Sequence, residues 1–184
     1  ATIYPEHVGY KLSESRCGKS HYDLLLEAFD EFPVKGFVRL DHLLIQGKNS
    51  HPVYDKAETH WNIHGVMVAS KALLSKMSSS WDELLPDIEV TRRRQSADLS
   101  NMLMMFTTIT DERLYVADNV VHKSEVSVKN KPPLENGRPH LKITTIPKGN
   151  EQLLPKTVMY RDSFMISPLN IIKGSFEQID ALWT

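Results

Sequence analysis

Apolar residues along this chain change their spacing twice, and that change restricts the fold more than any single motif. Leu24, Leu25, Ala28, Phe29 and Phe32 recur at helical spacing and predict a helix from about His21 to Phe32, ended by Pro33. Gly36 to Leu40 reads as a short buried strand. A second helix is predicted from about Asn62 to Met77, with Val66, Ala69, Leu73, Leu74 and Met77 facing inward and Asn62 as N-cap. A shorter helix is expected over Ala97 to Phe106, capped by Ser96.

From Arg113 to about Ile146 the period becomes two. Leu114/Val116, Val126/Val128 and Leu141/Ile143 sit among polar residues, separated by turn chemistry at Asn130-Lys131-Pro132-Pro133 and Asn136-Gly137. The stretch of about 112–147 therefore reads as a β-rich insertion. Afterwards the helix–strand rhythm returns: a strand at Thr157 to Tyr160, a turn at Ser163, a helix over Ser167 to Ser175, and a strand over Gln178 to Trp183. Alternation of this kind predicts a single α/β domain over 1–184.

Charge removes several functions. With 22 Lys+Arg against 23 Asp+Glu, the chain carries no basic footprint for nucleic acid. Its composition, 41% hydrophobic and 24% charged, is that of a folded globular protein. No apolar run is long enough to span a bilayer. The start, Ala1 to Glu6, lacks both an initiator Met and a basic segment followed by an apolar one. The lone Cys17 can form no internal disulfide and has no visible basic or His partner.

Two segments carry the chemistry. Tyr54-Asp55-Lys56-Ala57-Glu58-Thr59-His60-Trp61-Asn62 precedes a predicted helix, and Tyr160-Arg161-Asp162-Ser163-Phe164 follows a predicted strand. A serine at a strand-to-helix turn projects its hydroxyl from the strand's carboxyl end, with backbone N–H groups facing the place where an oxyanion would form. It needs a base to take its proton, and His60 can be that base if an acid fixes its tautomer. Glu58 is the natural acid; Asp55 lies farther away. Separately, Ser163 reads as a helix cap and His60 as a hydrogen-bonded structural histidine, so the two segments gain meaning only together.

Glu58-Thr59-His60-Trp61-Asn62 resembles the Asp-x-His-Trp-(Thr/Asn) block of the alginate O-acetyltransferase-like branch of the SGNH-hydrolase superfamily, with the Tyr-x-Lys lead matched by Tyr54 and Lys56. Asp162-Ser163-Phe164 resembles its serine block. Ala97 to Leu103 is similar to its Gly-Asp-Leu-Ala segment, and Thr2-Ile3-Tyr4-Pro5-Glu6 to its Ile-Tyr-Pro strand end. The resemblance implies Ser163 as nucleophile, His60 as base and the Glu58 position as orienting acid. It also implies a three-layer α/β/α sandwich with a mainly parallel sheet. The implied reaction is acetyl transfer to, or removal from, a bacterial exopolysaccharide or cell-surface glycan in the periplasm, with a membrane-bound acyltransferase as acetyl donor and no cofactor. Against the family pattern the chain is expected to be trimmed at both ends. Two departures stand out: Glu58 replaces Asp, and Arg161 replaces the usual superfamily Gly. The alternative is a non-catalytic glycan-binding or assembly module that keeps the fold.

Other residues have plainer readings. His60 and His64, four apart near Glu58, would suggest a metal, but His-Trp-Asn-Ile-His lacks the internal Glu of a zinc-binding helix. Trp61, Arg161 and Asn62 are candidate substrate contacts; Trp61 could stack on sugar, and its ordinary role is packing that fixes the loop. Arg92-Arg93-Arg94 could grip an acidic polymer, yet reads as a solvated face. Met102, Met104 and Met105 read as core filler, and Trp81, Tyr115 and Arg138 as groove residues with nothing to prefer them.

Overall fold

A computed structural model describes residues 3–7, 18–55, 58–86, 88–96, 98–102, 110–116, 122–133 and 137–184. Thr2, Cys17, Lys56, Ala97, Met104, Met105, Asn136 and the predicted helix beyond Met102 lie outside the described residues, as do the side chains of Arg92 to Arg94 and Tyr115.

Among the described residues, a 3₁₀ turn at Pro5–His7 is followed by α1 (His21–Glu31), α2 (Leu40–Gly47) and α3 (Ile63–Met77). Helix α1 starts at a capping box, in which the Ser20 hydroxyl accepts from Asp23 N–H and the Asp23 carboxylate accepts from Ser20 N–H at 2.8 Å. Its apolar stripe stays largely open to solvent, with Leu24, Leu25 and Phe32 all exposed. The strand expected at Gly36 to Leu40 is replaced by a turn, with Gly36 at φ 85°, and by α2. The physical reason lies in Leu40, Leu43 and Leu44, which continue the apolar run at helical spacing; a short run alone cannot separate strand from helix.

Helix α3 starts where the sequence places it. The Asn62 side-chain oxygen accepts from His64 N–H at 3.0 Å and Gly65 N–H at 3.3 Å. Ile63, Val66, Ala69, Ala72 and Leu74 are buried, whereas Met77, expected inside, is exposed at the last turn.

After the short α4 (Trp81–Leu84), β1 (Val90–Ser96) and β2 (Thr110–Val116) form an antiparallel pair around α5 (Asp98–Met102), with Arg93 opposite Arg113. The larger sheet contains β3 (Glu125–Lys131), β4 (His140–Ile146), β5 (Thr157–Arg161) and β6 (Gln178–Trp183) in the order β3-β4-β6-β5. The β-rich stretch is thus divided: β2 pairs with β1, while β3 and β4 continue the sheet that carries β5 and β6.

Among the described residues this sheet is mixed. The β3–β4 and β4–β6 pairs are antiparallel and β5–β6 is parallel. A parallel pair needs a crossover, supplied by the 3₁₀ turn Ser163–Met165 and α6 (Ile166–Ile172). Ile63, Val66 and Leu74 of α3 pack with Leu169, Ile171 and Ile172 of α6 against Ile143, Ile179 and Ala181 of the sheet. On the opposite face of β5, Val158 and Tyr160 are exposed. The architecture is mixed α/β, and it brings the start of α3 beside the carboxyl end of β5.

Candidate active site

Packing around Val53 builds the loop that carries His60. Val53 is fully buried, donates its N–H to Tyr4 Oη at 2.9 Å, and accepts from Asn62 N–H at 2.9 Å. Tyr54 and Trp61 form an isolated antiparallel bridge that closes the loop just before α3. The Asn62 amide nitrogen donates to Pro52 O at 2.9 Å and to Asp55 Oδ1 at 3.0 Å. Gly65 lets loop and helix meet: a Cβ there would lie 2.7 Å from both Trp61 Cβ and Val53 O.

On the other side, β5 ends at Arg161 and Asp162 caps the following turn, its Oδ1 accepting from Phe164 N–H at 3.0 Å. That turn presents Ser163 to the loop. His60 Nε2 and Ser163 Oγ are 3.0 Å apart. Trp61 donates its indole N–H to Phe164 O at 3.2 Å and meets the Phe164 ring edge-on, while the His60 ring lies 4.7 Å from that of Phe164. The His60 and Ser163 side chains both remain partly open to solvent.

The acid beside His60 comes from a different place than expected. Asp98 Oδ2, in the first turn of α5, lies 3.6 Å from His60 Nδ1. Glu58 stands one step behind, its Oε1 accepting from Asp98 N–H at 2.5 Å. Thr59 lies between: its hydroxyl donates to Asp98 Oδ2, and its Oγ1 is 2.9 Å from His60 Nδ1. The Thr59 hydroxyl bond first, and then the His60 ring, hold the Asp98 carboxyl below its ordinary range, outweighing the opposing effect of burial. Asp98 is therefore a carboxylate wherever the site would work. Asp98 lies within the Ala97–Leu103 segment that resembles the Gly-Asp-Leu-Ala block, and that resemblance is the signal in the sequence that points to it.

The candidate substrate contacts separate. Trp61 is committed to the Phe164 carbonyl, and the Asn62 carboxamide to the helix cap and its own loop. Arg161 is 7% exposed, its guanidinium 4.7 Å from the Trp183 ring, and its Nε has no hydrogen-bond partner. Burial pushes its pKa down. His64 stacks on His51 at 4.4 Å, and burial first, then His51, lowers its pKa. Among the described residues no group of three His, Cys, Asp or Glu side chains could hold a metal ion. Among them also, no helix is long and apolar enough to cross a membrane.

No protein-family model and no curated protein matches this chain. A solved structure does: a DHHW family protein from Eubacterium siraeum DSM 15702, with a TM-score of 0.56 at 13% identity. The superposition covers 92% of this chain and 63% of that one, so the chain spans less than two thirds of that protein's length. At such low identity the likeness is one of fold.

Proposed function

We propose that this protein is a serine-dependent carbohydrate O-acetyltransferase or acetylesterase acting on a bacterial exopolysaccharide or cell-surface glycan. One observation carries the reading: the 3.0 Å approach of His60 Nε2 to Ser163 Oγ at a strand-to-helix turn. Ser163 Oγ attacks the acetyl carbonyl while His60 Nε2 takes the hydroxyl proton. The tetrahedral intermediate collapses, His60 returns the proton to the departing alcohol, and the acetyl group remains on Ser163 as an ester. A sugar hydroxyl, or water, then attacks that ester by the reverse sequence. Asp98 balances the charge on His60, with Glu58 holding Asp98 from behind. Backbone N–H groups around Ser163 are the expected oxyanion donors; Phe164 N–H is taken by Asp162, which leaves that of Ser163 itself.

The parallel β5–α6–β6 unit, with the serine at its first turn, supports an SGNH-type three-layer α/β/α sandwich as the fold of the whole protein. A periplasmic location and a membrane-bound acyltransferase as acetyl donor belong to the same reading. The occupied Phe164 N–H favours the second reading, a non-catalytic glycan-binding module. Turnover of p-nitrophenyl acetate by wild type and Ser163→Ala separates the two. Loss of turnover in the variant supports the enzyme. Equal rates remove Ser163 from the nucleophile role, and glycan binding that survives Ser163→Ala without any acetyl release supports the binding module.

A further inference from the structure

The Thr59 hydroxyl has only one proton, and its bonding partners determine where that proton points. An ionised Asp98 carboxylate can accept but not donate, so the hydroxyl proton goes to Asp98 Oδ2. The oxygen is then an acceptor toward His60 Nδ1, 2.9 Å away, and Nδ1 must carry a hydrogen. A neutral imidazole with its proton on Nδ1 has a bare Nε2, the atom 3.0 Å from Ser163 Oγ. Direct contact between Asp98 and Nδ1 is longer, at 3.6 Å, so the hydroxyl provides the closer contact.

We infer that Thr59 is a positioning residue, a hydroxyl inserted between Asp98 and His60 that keeps the imidazole proton on Nδ1 and Nε2 open to the Ser163 proton. The inference rests on the acyl-transfer reading for its consequence in rate, but not for its effect on the ring. Thr59→Val keeps the branched shape and removes the hydroxyl; Thr59→Ser restores it. The experiment records ¹⁵N spectra of the histidine rings, with His60 assigned by its loss in His60→Gln, alongside p-nitrophenyl acetate kinetics.

Wild type and Thr59→Ser should show His60 protonated at Nδ1, and Thr59→Val a shift toward the Nε2-protonated form. In kinetics, Thr59→Val should lower kcat about a hundredfold with KM little changed, and Thr59→Ser should recover most of that loss. A Thr59→Val protein with the wild-type tautomer and kcat overturns the inference. So does an Nε2-protonated His60 in wild type, which decides the matter even if Thr59→Val does not fold. If the tautomer follows the hydroxyl but no form of the protein releases acetate, the acyl-transfer reading fails and the positioning role stands.

Discussion

His60 and Ser163 are 103 positions apart in sequence, yet their Nε2 and Oγ atoms lie 3.0 Å apart. The Trp61 indole, bonded to Phe164 O, ties the two segments together immediately beside that contact. Trp61→Phe keeps an aromatic ring but removes the N–H donor. It should cost about 1 kcal/mol in urea unfolding and lower p-nitrophenyl acetate turnover. Unchanged turnover at the reduced stability would show that Trp61 only packs.

The two acids should differ sharply. Asp98→Asn leaves the His60 side of the site without its carboxylate and should reduce kcat by about 10³–10⁴. Glu58→Gln retains an oxygen that can accept from Asp98 N–H, so its loss should stay within about tenfold. Steady-state kinetics of both variants ranks them, and the reverse order would return the orienting role to Glu58.

Gly65 sits where loop and helix meet. With Trp61 Cβ and Val53 O both 2.7 Å from the position of a new Cβ, Gly65→Ala forces backbone apart rather than a flexible side-chain end. A loss of about 1–3 kcal/mol is expected from urea denaturation, with turnover lowered as the His60 loop shifts.

Acid should destabilise the fold through His122. Burial first, and then the adjacent Lys173 charge, lower its pKa from 6.5 to about 4, against an opposing hydrogen bond with the Asn170 backbone. Its Nε2 is buried without a partner. Between those values the unfolded chain binds more protons than the folded one, so this contribution to stability rises with pH. It is lost as pH falls from 6.5 toward 4. Urea midpoints measured across that range should slope less in His122→Gln than in wild type.

Sequence signals are legible where their causes are local. Asn62 is a cap because its side chain reaches its own first turn, and β6 spans Gln178 to Trp183, the range the returning helix–strand rhythm predicts. Strand β1 is not legible in the sequence because Val90 to Ser96, with three arginines, has no alternating pattern; pairing with β2 makes it a strand. The same limit hid Asp98. Glu58 is near His60 in sequence, whereas Asp98 reaches Nδ1 only because α5 folds back onto the loop, and spacing along the chain does not encode that return. His60 and Ser163 are legible as a pair because each stands in a recognisable block.

A Ser163 nucleophile is tested most directly by trapping the acetyl-enzyme. Wild type and Ser163→Ala would be mixed with p-nitrophenyl acetate, quenched in acid at short times and examined by intact-protein and peptide mass spectrometry. One acetyl group is expected on wild type, located on the peptide containing Ser163, appearing with the burst of p-nitrophenol and absent from Ser163→Ala. Burst and turnover that persist in Ser163→Ala, or an acetyl group carried by another residue, would contradict it.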